Sequence, residues 1–498
     1  MTAGDQDGRE PASDESSGGL RKRARGGAAW LGARQVLNNL LRIASISIVA
    51  RELGPVEFGL AALAVSASRF LLLFNEGGVG TYIIRFEGGA RQLAREARSA
   101  FWLNQAISLV QVAVLFAGIP LAGRLLGSDQ LTGPILVLGA TFWIRQMSVV
   151  PEALARRGFQ YRSLVLRDLL SGVVASVLSA VLALRGAGVY AIVLPPLLLE
   201  PFRLVLLVSL TGFRPGWSLV RDRWRAIVQF VKHVIGAEVA YIVLNDGDTL
   251  IIGAVLGAEA TGIYNLAWQL ATLVGRNVVS VISDVSLPTF VAARRRGDLE
   301  AVLRGVLEVL AVVTLPIQLL LAACAPLVVE FLYGDDYAEV AAVLSVLAIF
   351  MAVRGVTSVS GPIFNVLGTP KTGLLLSLGT LPPYLLATVV AAPHGVLAAA
   401  LAVSGVRIIG GIWGLLLAVD KLGASRRPML AGPVRAVPGA VVAALAAALC
   451  VRGAGLVSWP PVAELAVVGS VGLVVALGSQ HVFNRRALRE ARMTVLGR

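Results

Sequence analysis

The feature that most limits what this chain can become is its run of apolar blocks. A block of about 20 mostly apolar residues is long enough to cross a bilayer as a helix. Reading breaks from Gly, Pro and charge clusters gives about fourteen such blocks, near residues 27–50, 55–83, 99–123, 131–150, 163–184, 187–211, 227–253, 259–290, 301–331, 338–367, 372–392, 395–419, 436–452 and 461–483. Only helices and closed barrels satisfy their backbone polar groups in hydrocarbon. Blocks of this length predict an all-α, polytopic membrane protein. Composition agrees: 56% of the residues are hydrophobic and 15% charged, and mean hydropathy is +0.77. A soluble chain carries about 25% charged residues.

The loops orient the spans. Short cytoplasmic loops collect Lys and Arg. With the N-terminus inside, the inner segments hold Arg21, Lys22, Arg23 and Arg25, then Arg85, Arg91, Arg95 and Arg98, then Arg156, Arg157 and Arg162, then Arg221, Arg223 and Arg225. Arg294, Arg295, Arg296, Lys371, Arg426, Arg427, Arg485, Arg486 and Arg489 continue the series. The outer segments hold only Arg51, Arg124, Arg185 and Arg452. This asymmetry predicts an even number of spans, both termini cytoplasmic, in the plasma (inner) membrane. The net charge of +14 therefore belongs to loops and not to a nucleic-acid surface. No nucleic-acid-binding pattern accompanies it.

Residues 1–26 read as a disordered cytoplasmic tail, polar and without an apolar signal-peptide core. Residues 485–498 read as a basic cytoplasmic tail. Cys324 and Cys450 read as small buried hydrophobes. Neither they nor the scattered His233, His394 and His481 have the spacing of a metal site, and no cofactor is expected. The loops are short, which leaves no domain for catalytic machinery and predicts that the protein is not an enzyme.

A weak repeat runs through the chain at about 203–209 residues. LGPVEFG at 53–59 recurs as LGAEATG at 256–262, and GVYA at 188–191 as GVLA at 395–398. Pro120, Leu121, Leu126 and Gly127 match Pro326, Leu327, Leu332 and Gly334. Six helices return a chain to the side it started from, so the two halves should be parallel lobes related by an axis along the membrane normal. The expected organisation is an N-lobe at 27–211, a connecting loop at 212–226, a C-lobe at 227–421 and two accessory helices within 435–484.

Ionisable residues inside spans are costly and mark functional positions by default. In the first helix Arg34, Asn38, Arg42 and Ser45 fall on one face; Arg69 and Glu76 share a face of the second. Asn104, Ser108 and Gln111 align in the third helix, and Tyr241, Asn245 and Asp248 in the seventh. Gln269, Arg276, Ser280 and Asp284 align in the eighth, and Arg354, Ser358 and Asn365 in the tenth. These stripes predict a shared hydrophilic cavity. Arg offers a permanently charged planar fork that fits phosphate oxygens. Arg34, Asn38, Arg42, Arg69, Arg276 and Arg354 are the candidate substrate-binding residues, and Glu76, Asp248 and Asp284 the candidate ion-coupling residues. The competing reading is local pairing, of Arg69 with Glu76, Arg203 with Glu200 and Arg167 with Asp168. Arg145, Arg203 and Arg407 lie where they can snorkel from helix ends. Asn75-Glu76-Gly77-Gly78 interrupts the second helix, the kind of break that marks a transport site or a packing contact.

The strings ARELGPVEFGLAALA at 50–64, LFNEGGVGTYIIR at 73–85, FWLNQAISLV at 101–110, PEALARRGFQYRSL at 151–164 and GAGVYAIV at 186–193 resemble the Wzx-type oligosaccharide flippases of the polysaccharide transporter family. So do LNDGDTLIIGAVLGAEATGIYNLAWQL at 244–270 and GPIFNVLGTPK at 361–371. The superfamily also holds lipid II flippases and multidrug extruders, which are the alternatives. The resemblance implies export of undecaprenyl-diphosphate-linked oligosaccharide repeat units for polysaccharide biosynthesis, by alternating access of two lobes around a basic central cavity. It implies a lipid-linked oligosaccharide and membrane lipids as partners, and a polysaccharide polymerase and glycosyltransferases beside it.

Overall fold

The computed structural model describes residues 15–72, 78–126, 128–216, 221–454 and 461–483, and no strand occurs among them. Within these ranges, the side chains of 15–38, 70–72, 78, 161, 221–241, 276–288, 453–454, 461–462 and 483 lie outside the description. The N-lobe is built from α1 (Glu15–Leu72), α2 (Gly78–Arg85), α3 (Ala90–Leu126), α4 (Thr132–Met147), α5 (Val149–Arg157), α6 (Tyr161–Leu184) and α7 (Tyr190–Thr211). The C-lobe contains α8 (Arg221–Arg296), α9 (Leu299–Ala323), α10 (Ala325–Tyr333), α11 (Ala338–Thr357), α12 (Ser360–Val366), α13 (Pro370–Ala391) and α14 (Val396–Leu422). The last pair, α15 (Arg426–Ala454) and α16 (Pro461–Phe483), follows the second lobe.

Eleven helical segments among the described residues are long and apolar enough to cross a membrane. The protein is a multi-pass membrane protein; the count of fourteen remains an expectation, since much of α1 and α8 contributes no described side chain. Three expected spans are each two helices. Residues 131–150 divide between α4 and α5, 301–331 between α9 and α10, and 338–367 between α11 and α12. Helix α1 begins at Glu15, inside the stretch expected to be a disordered tail. Leu, Arg, Lys and Ala fill positions 20–25 there and are good helix formers.

The repeat has a direct structural counterpart. Helix α1 kinks at Gly54 (φ 73°, ψ 169°), and α8 kinks at Gly257 (φ 86°, ψ −173°). The two glycines stand 203 residues apart in the matched strings LGPVEFG and LGAEATG. Only glycine adopts this backbone region readily. Five residues beyond each kink, Gly59 and Gly262 meet across the lobes. A β-carbon on Gly59 would overlap the carbonyl oxygen of Ala258, and one on Gly262 the carbonyl oxygen of Pro55. Ala258 is the repeat partner of Pro55, so the two contacts are the same contact made twice. Such reciprocity is what a pseudo-twofold axis between the lobes requires. Small residues allow helices to approach this closely in a bilayer, where apolar burial between helices gives no driving force.

The largest core cluster lies on this junction. It joins Val49, Leu53 and Phe58 of α1 to Ile252, Ile263 and Leu266 of α8 and to Val340, Leu344 and Leu347 of α11. Polar clasps flank it. The Tyr337 hydroxyl donates to the carbonyl of Ala50 at 2.5 Å, and Arg51 donates to the carbonyls of Phe331 and Leu332. Helix α15 packs Met429, Ala436 and Ala440 into the C-lobe core. Ala447 of α15 and Val468 of α16 enclose the buried Cys324. Outside, Leu109, Val110, Val114, Leu375, Leu386, Leu449 and Val474 are exposed, an apolar surface suited to lipid.

Candidate functional site

Three cavities among the described residues are lined by clusters of charged and polar side chains. The first lies between the lobes, with a volume of about 280 Å³. The second half of α1 supplies Ser66 and Arg69; α8 supplies Asn245, Asp246, Thr249, Asn265, Trp268 and Gln269. Arg69 Nη1 lies 3.1 Å from Asp246 Oδ1, an ion pair that crosses from one lobe to the other. The Arg69 side chain is 54% exposed and that of Asp246 only 10%. Arg69 is thus paired across the lobes with a buried acid that the sequence does not single out as its partner.

The second cavity belongs to the N-lobe and holds about 470 Å³. Arg145 stands in the last turn of α4, just before the break at Ser148. Glu152 and Arg156 come from α5, Arg167 and Asp168 from α6, Glu200 and Arg203 from α7. The network is dense. Arg167 Nη2 lies 2.7 Å from Asp168 Oδ1 and 3.2 Å from Glu152 Oε2. Arg203 reaches Asp168 and Glu200, each at 2.8 Å, and Arg156 reaches Glu152 at 2.6 Å. The local pairs expected for Arg203 and Arg167 are present, joined into one network. Arg167 is 3% exposed, a burial that only several charge-assisted contacts make tolerable.

The third cavity, about 420 Å³, belongs to the C-lobe. Arg354 stands in the last turn of α11, just before the break at Ser358. Ser377, Thr380 and Tyr384 come from α13, Arg407 from α14, and Asn245 borders both this cavity and the inter-lobe one. No carboxylate is among the described residues that line it. The Arg407 guanidinium carbon lies 5.1 Å from the ring centroids of Trp268 and Tyr384 and 5.5 Å from that of Phe350. Arg354 lies over the same Phe350 ring at 5.9 Å.

The second and third cavities are repeat partners. A spacing of 209 residues takes Arg145 to Arg354, Ser148 to Thr357, Arg167 to Leu376 and Asp168 to Ser377; a spacing of 207 takes Glu200 to Arg407 and Arg203 to Gly410. All twelve residues line their respective cavities. The scaffold is duplicated, and its chemistry has diverged.

Asp248 is 1% exposed and lines none of the three cavities. Its Oδ2 accepts from the Tyr264 hydroxyl at 2.6 Å and its Oδ1 from the Thr249 amide at 2.8 Å. The Tyr384 hydroxyl accepts from the Asp248 backbone amide at 2.9 Å. Arg42 is exposed on α1 and borders none of the cavities. The side chains of Arg34, Asn38, Arg276 and Asp284, and the whole of Glu76, lie outside the described residues. The stripe of Asn104, Ser108 and Gln111 is buried; Asn104 donates to the Gln146 carbonyl at 2.9 Å, joining α3 to α4. Periodicity alone does not find Arg407 and Arg145, because each reads as a single cation near a helix end. The repeat finds them: it pairs Arg145 with Arg354, and Arg407 with the acid Glu200.

Comparison with known proteins places this geometry. Over 92% of the chain and 99% of the other protein, the fold superposes on the lipid II flippase MurJ in an inward closed conformation, with a TM-score of 0.70 and 14% identity. The chain is 24% identical over 311 residues to the succinoglycan biosynthesis transport protein ExoT of Rhizobium meliloti, covering 62% of each chain. It is 21% identical to the teichuronic acid biosynthesis protein TuaB of Bacillus subtilis, over 73% of this chain and 76% of the other. Residues 48–342, more than half of the chain, match a family described as "Polysaccharide biosynthesis protein", and the chain belongs to that family.

Proposed function

We propose that the protein moves a lipid-linked, diphosphate-bearing oligosaccharide from the cytoplasmic to the outer leaflet by alternating access of its two lobes. The observation that carries this reading is the polar cavity between pseudo-symmetric lobes, crossed by the Arg69–Asp246 ion pair. Arg69 is half exposed, so an incoming anion can take it from Asp246 as the lobes part. With both termini cytoplasmic, the Gly59–Gly262 contact lies on the outer side and closes the cavity there. The family and the relatives that build succinoglycan and teichuronic acid support a sugar-polymer substrate.

A cationic-drug extruder on the same scaffold would offer a free acid to its substrate. The acid of the inter-lobe cavity, Asp246, is 10% exposed and already paired. Transport without catalysis, a plasma-membrane location and a polymerase and glycosyltransferases acting on either side of the transport step belong to the same proposal.

Deleting the gene should leave lipid-linked oligosaccharide in the inner leaflet and abolish surface polymer. Wild-type protein should restore both, and Arg69→Ala should not, although it inserts normally. Surface polymer at wild-type level in the deletion strain would refute the proposal.

A further inference from the structure

The two intra-lobe cavities share a scaffold, but among the described residues only the first is lined by carboxylates. In the N-lobe, Arg145, Arg156, Arg167 and Arg203 face Glu152, Asp168 and Glu200. In the C-lobe, Arg354 and Arg407 face hydroxyls: Thr357, Ser358, Ser360, Ser377, Thr380 and Tyr384.

Arg407 is the informative residue. Its guanidinium is flanked by the faces of Trp268, Tyr384 and Phe350. Aromatic faces attract a cation and fix the plane of the fork. They do not accept the N–H groups that point outward along its edge. Among the described residues Arg407 makes no ion pair within 4 Å, and its buried Nη1 has no hydrogen-bond acceptor. Asp248 lies within electrostatic reach, but its carboxylate oxygens are taken by Tyr264 and Thr249. A planar cation flanked by aromatic faces, with a buried N–H left without an acceptor, matches an oxyanion that comes to its edge. The hydroxyls around it suit the remaining oxygens of the same group.

We infer that the C-lobe cavity is a second anion site, specific for a phosphoryl group. Arg407 is its fork and Arg354 its second positive charge. Asn245, which borders both cavities, marks the route from the inter-lobe cavity. Two sources supply this chemistry: the diphosphate of a polyprenyl carrier, and free inorganic phosphate or pyrophosphate. Only the first rests on the transport proposal; binding itself does not.

The test uses the purified full-length protein and calorimetric titration with inorganic pyrophosphate. Wild type should bind, and Arg407→Gln should bind at least tenfold more weakly. Arg407→Lys, which keeps the charge and loses the fork, should fall between them. Monodispersity on gel filtration and an unchanged melting temperature exclude misfolding as the cause. Asp420→Asn, outside all three cavities, should bind pyrophosphate as wild type does. A polyprenyl diphosphate in nanodiscs that displaces pyrophosphate identifies the carrier as the source; failure to displace identifies the free anion. Absence of binding by wild type at millimolar pyrophosphate, or equal affinity in Arg407→Gln, overturns the site. Loss of polymer export with pyrophosphate binding intact bears on the transport proposal alone.

Discussion

The N-lobe and C-lobe cavities are one design carried out twice, with carboxylates among the arginines of the first and none among the described lining of the second. Helices α4–α5, α6 and α7 frame the first; α11–α12, α13 and α14 frame the second. Where the first has Asp168 and Glu200, the second has Ser377 and Arg407. In the N-lobe, Arg156, Arg167 and Arg203 are paired with acids on the spot, so that cavity is a structural knot. In the C-lobe, Arg407 is left facing aromatic rings, with no carboxylate among the described residues that line the cavity, so that cavity has charge to offer a ligand. A backbone duplication preserves shape. Single substitutions at matched positions decide whether a buried arginine holds the lobe together or binds something else.

The comparison is open to attack by mutation, and the largest effect should come from the knot. Arg167→Ala removes the most buried cation of the network and leaves Glu152 to Arg156 and Asp168 to Arg203. Breaking a buried pair by removing one partner costs about 3–5 kcal/mol. Both acids are partly solvated here, so the cost should fall at about 3 kcal/mol, read as a lower melting temperature in detergent. An unchanged melting temperature would mean that the network is ornamental.

Next comes the axis that relates the two regions. Gly59→Ala and Gly262→Ala each push a methyl group into the carbonyl oxygen of the opposite lobe. Overpacking of this kind costs about 1–3 kcal/mol. The two substitutions should weaken the closed contact equally, by about tenfold or more in the ratio of closed to open forms. Cross-linking yields between cysteines placed on α1 and α8 would read the change. Very unequal effects would contradict the pseudo-twofold relation.

A smaller change would convert one cavity into the likeness of the other. Glu200→Gln leaves Arg203 with one acid partner and should cost about 1–2 kcal/mol of stability. Ser377→Asp places an acid in the C-lobe at the position matched to Asp168. It should abolish polymer export with little change in melting temperature, because it sets a carboxylate in competition with the anion for the cavity's arginines without removing a packed group. Export at wild-type level in Ser377→Asp would show that the charge of the C-lobe cavity has no part in transport. The smallest effect belongs to a fully exposed pair. Asp420→Asn breaks the 2.6 Å contact to Arg426, and exposed pairs of this kind contribute almost nothing; no shift in melting should be measurable.

Much of the architecture could be read before any coordinates. Helical class and the position of most spans followed from hydrophobic blocks, and the repeat from matched strings. LGPVEFG and LGAEATG proved to mark the kinks at Gly54 and Gly257 and the contact at Gly59 and Gly262. The helix breaks at Ser148 and Ser358 were not read from the sequence, although Pro151 and Pro362 follow them in the first turn of the next helix, because a single Pro near an apolar run marks either a kink or a helix start. The site was less legible still. Face analysis found Arg69 and Arg354, but assigned the first to Glu76 as its competing partner. Asp246, which pairs with Arg69 from the other lobe, lies off the stripe of Tyr241, Asn245 and Asp248 that helical spacing singled out. The polar stripe of α3 looked like cavity lining, yet it is packing against α4. Helical periodicity shows which residues share a face and is silent about what that face meets.

Sequence by itself determined that this chain is a bundle of membrane-crossing helices. The bilayer imposes that result, since each span must satisfy its own backbone and each loop must sort its own charge, and both are local properties. Tertiary structure decided which arginines are spent on stability and which remain available. A guanidinium at the same place in two lobes differs only in whether a carboxylate stands across the cavity, and that carboxylate can come from another helix or from the opposite lobe. Pairing of buried charge is a relation in space, so it is fixed only when the helices are brought together.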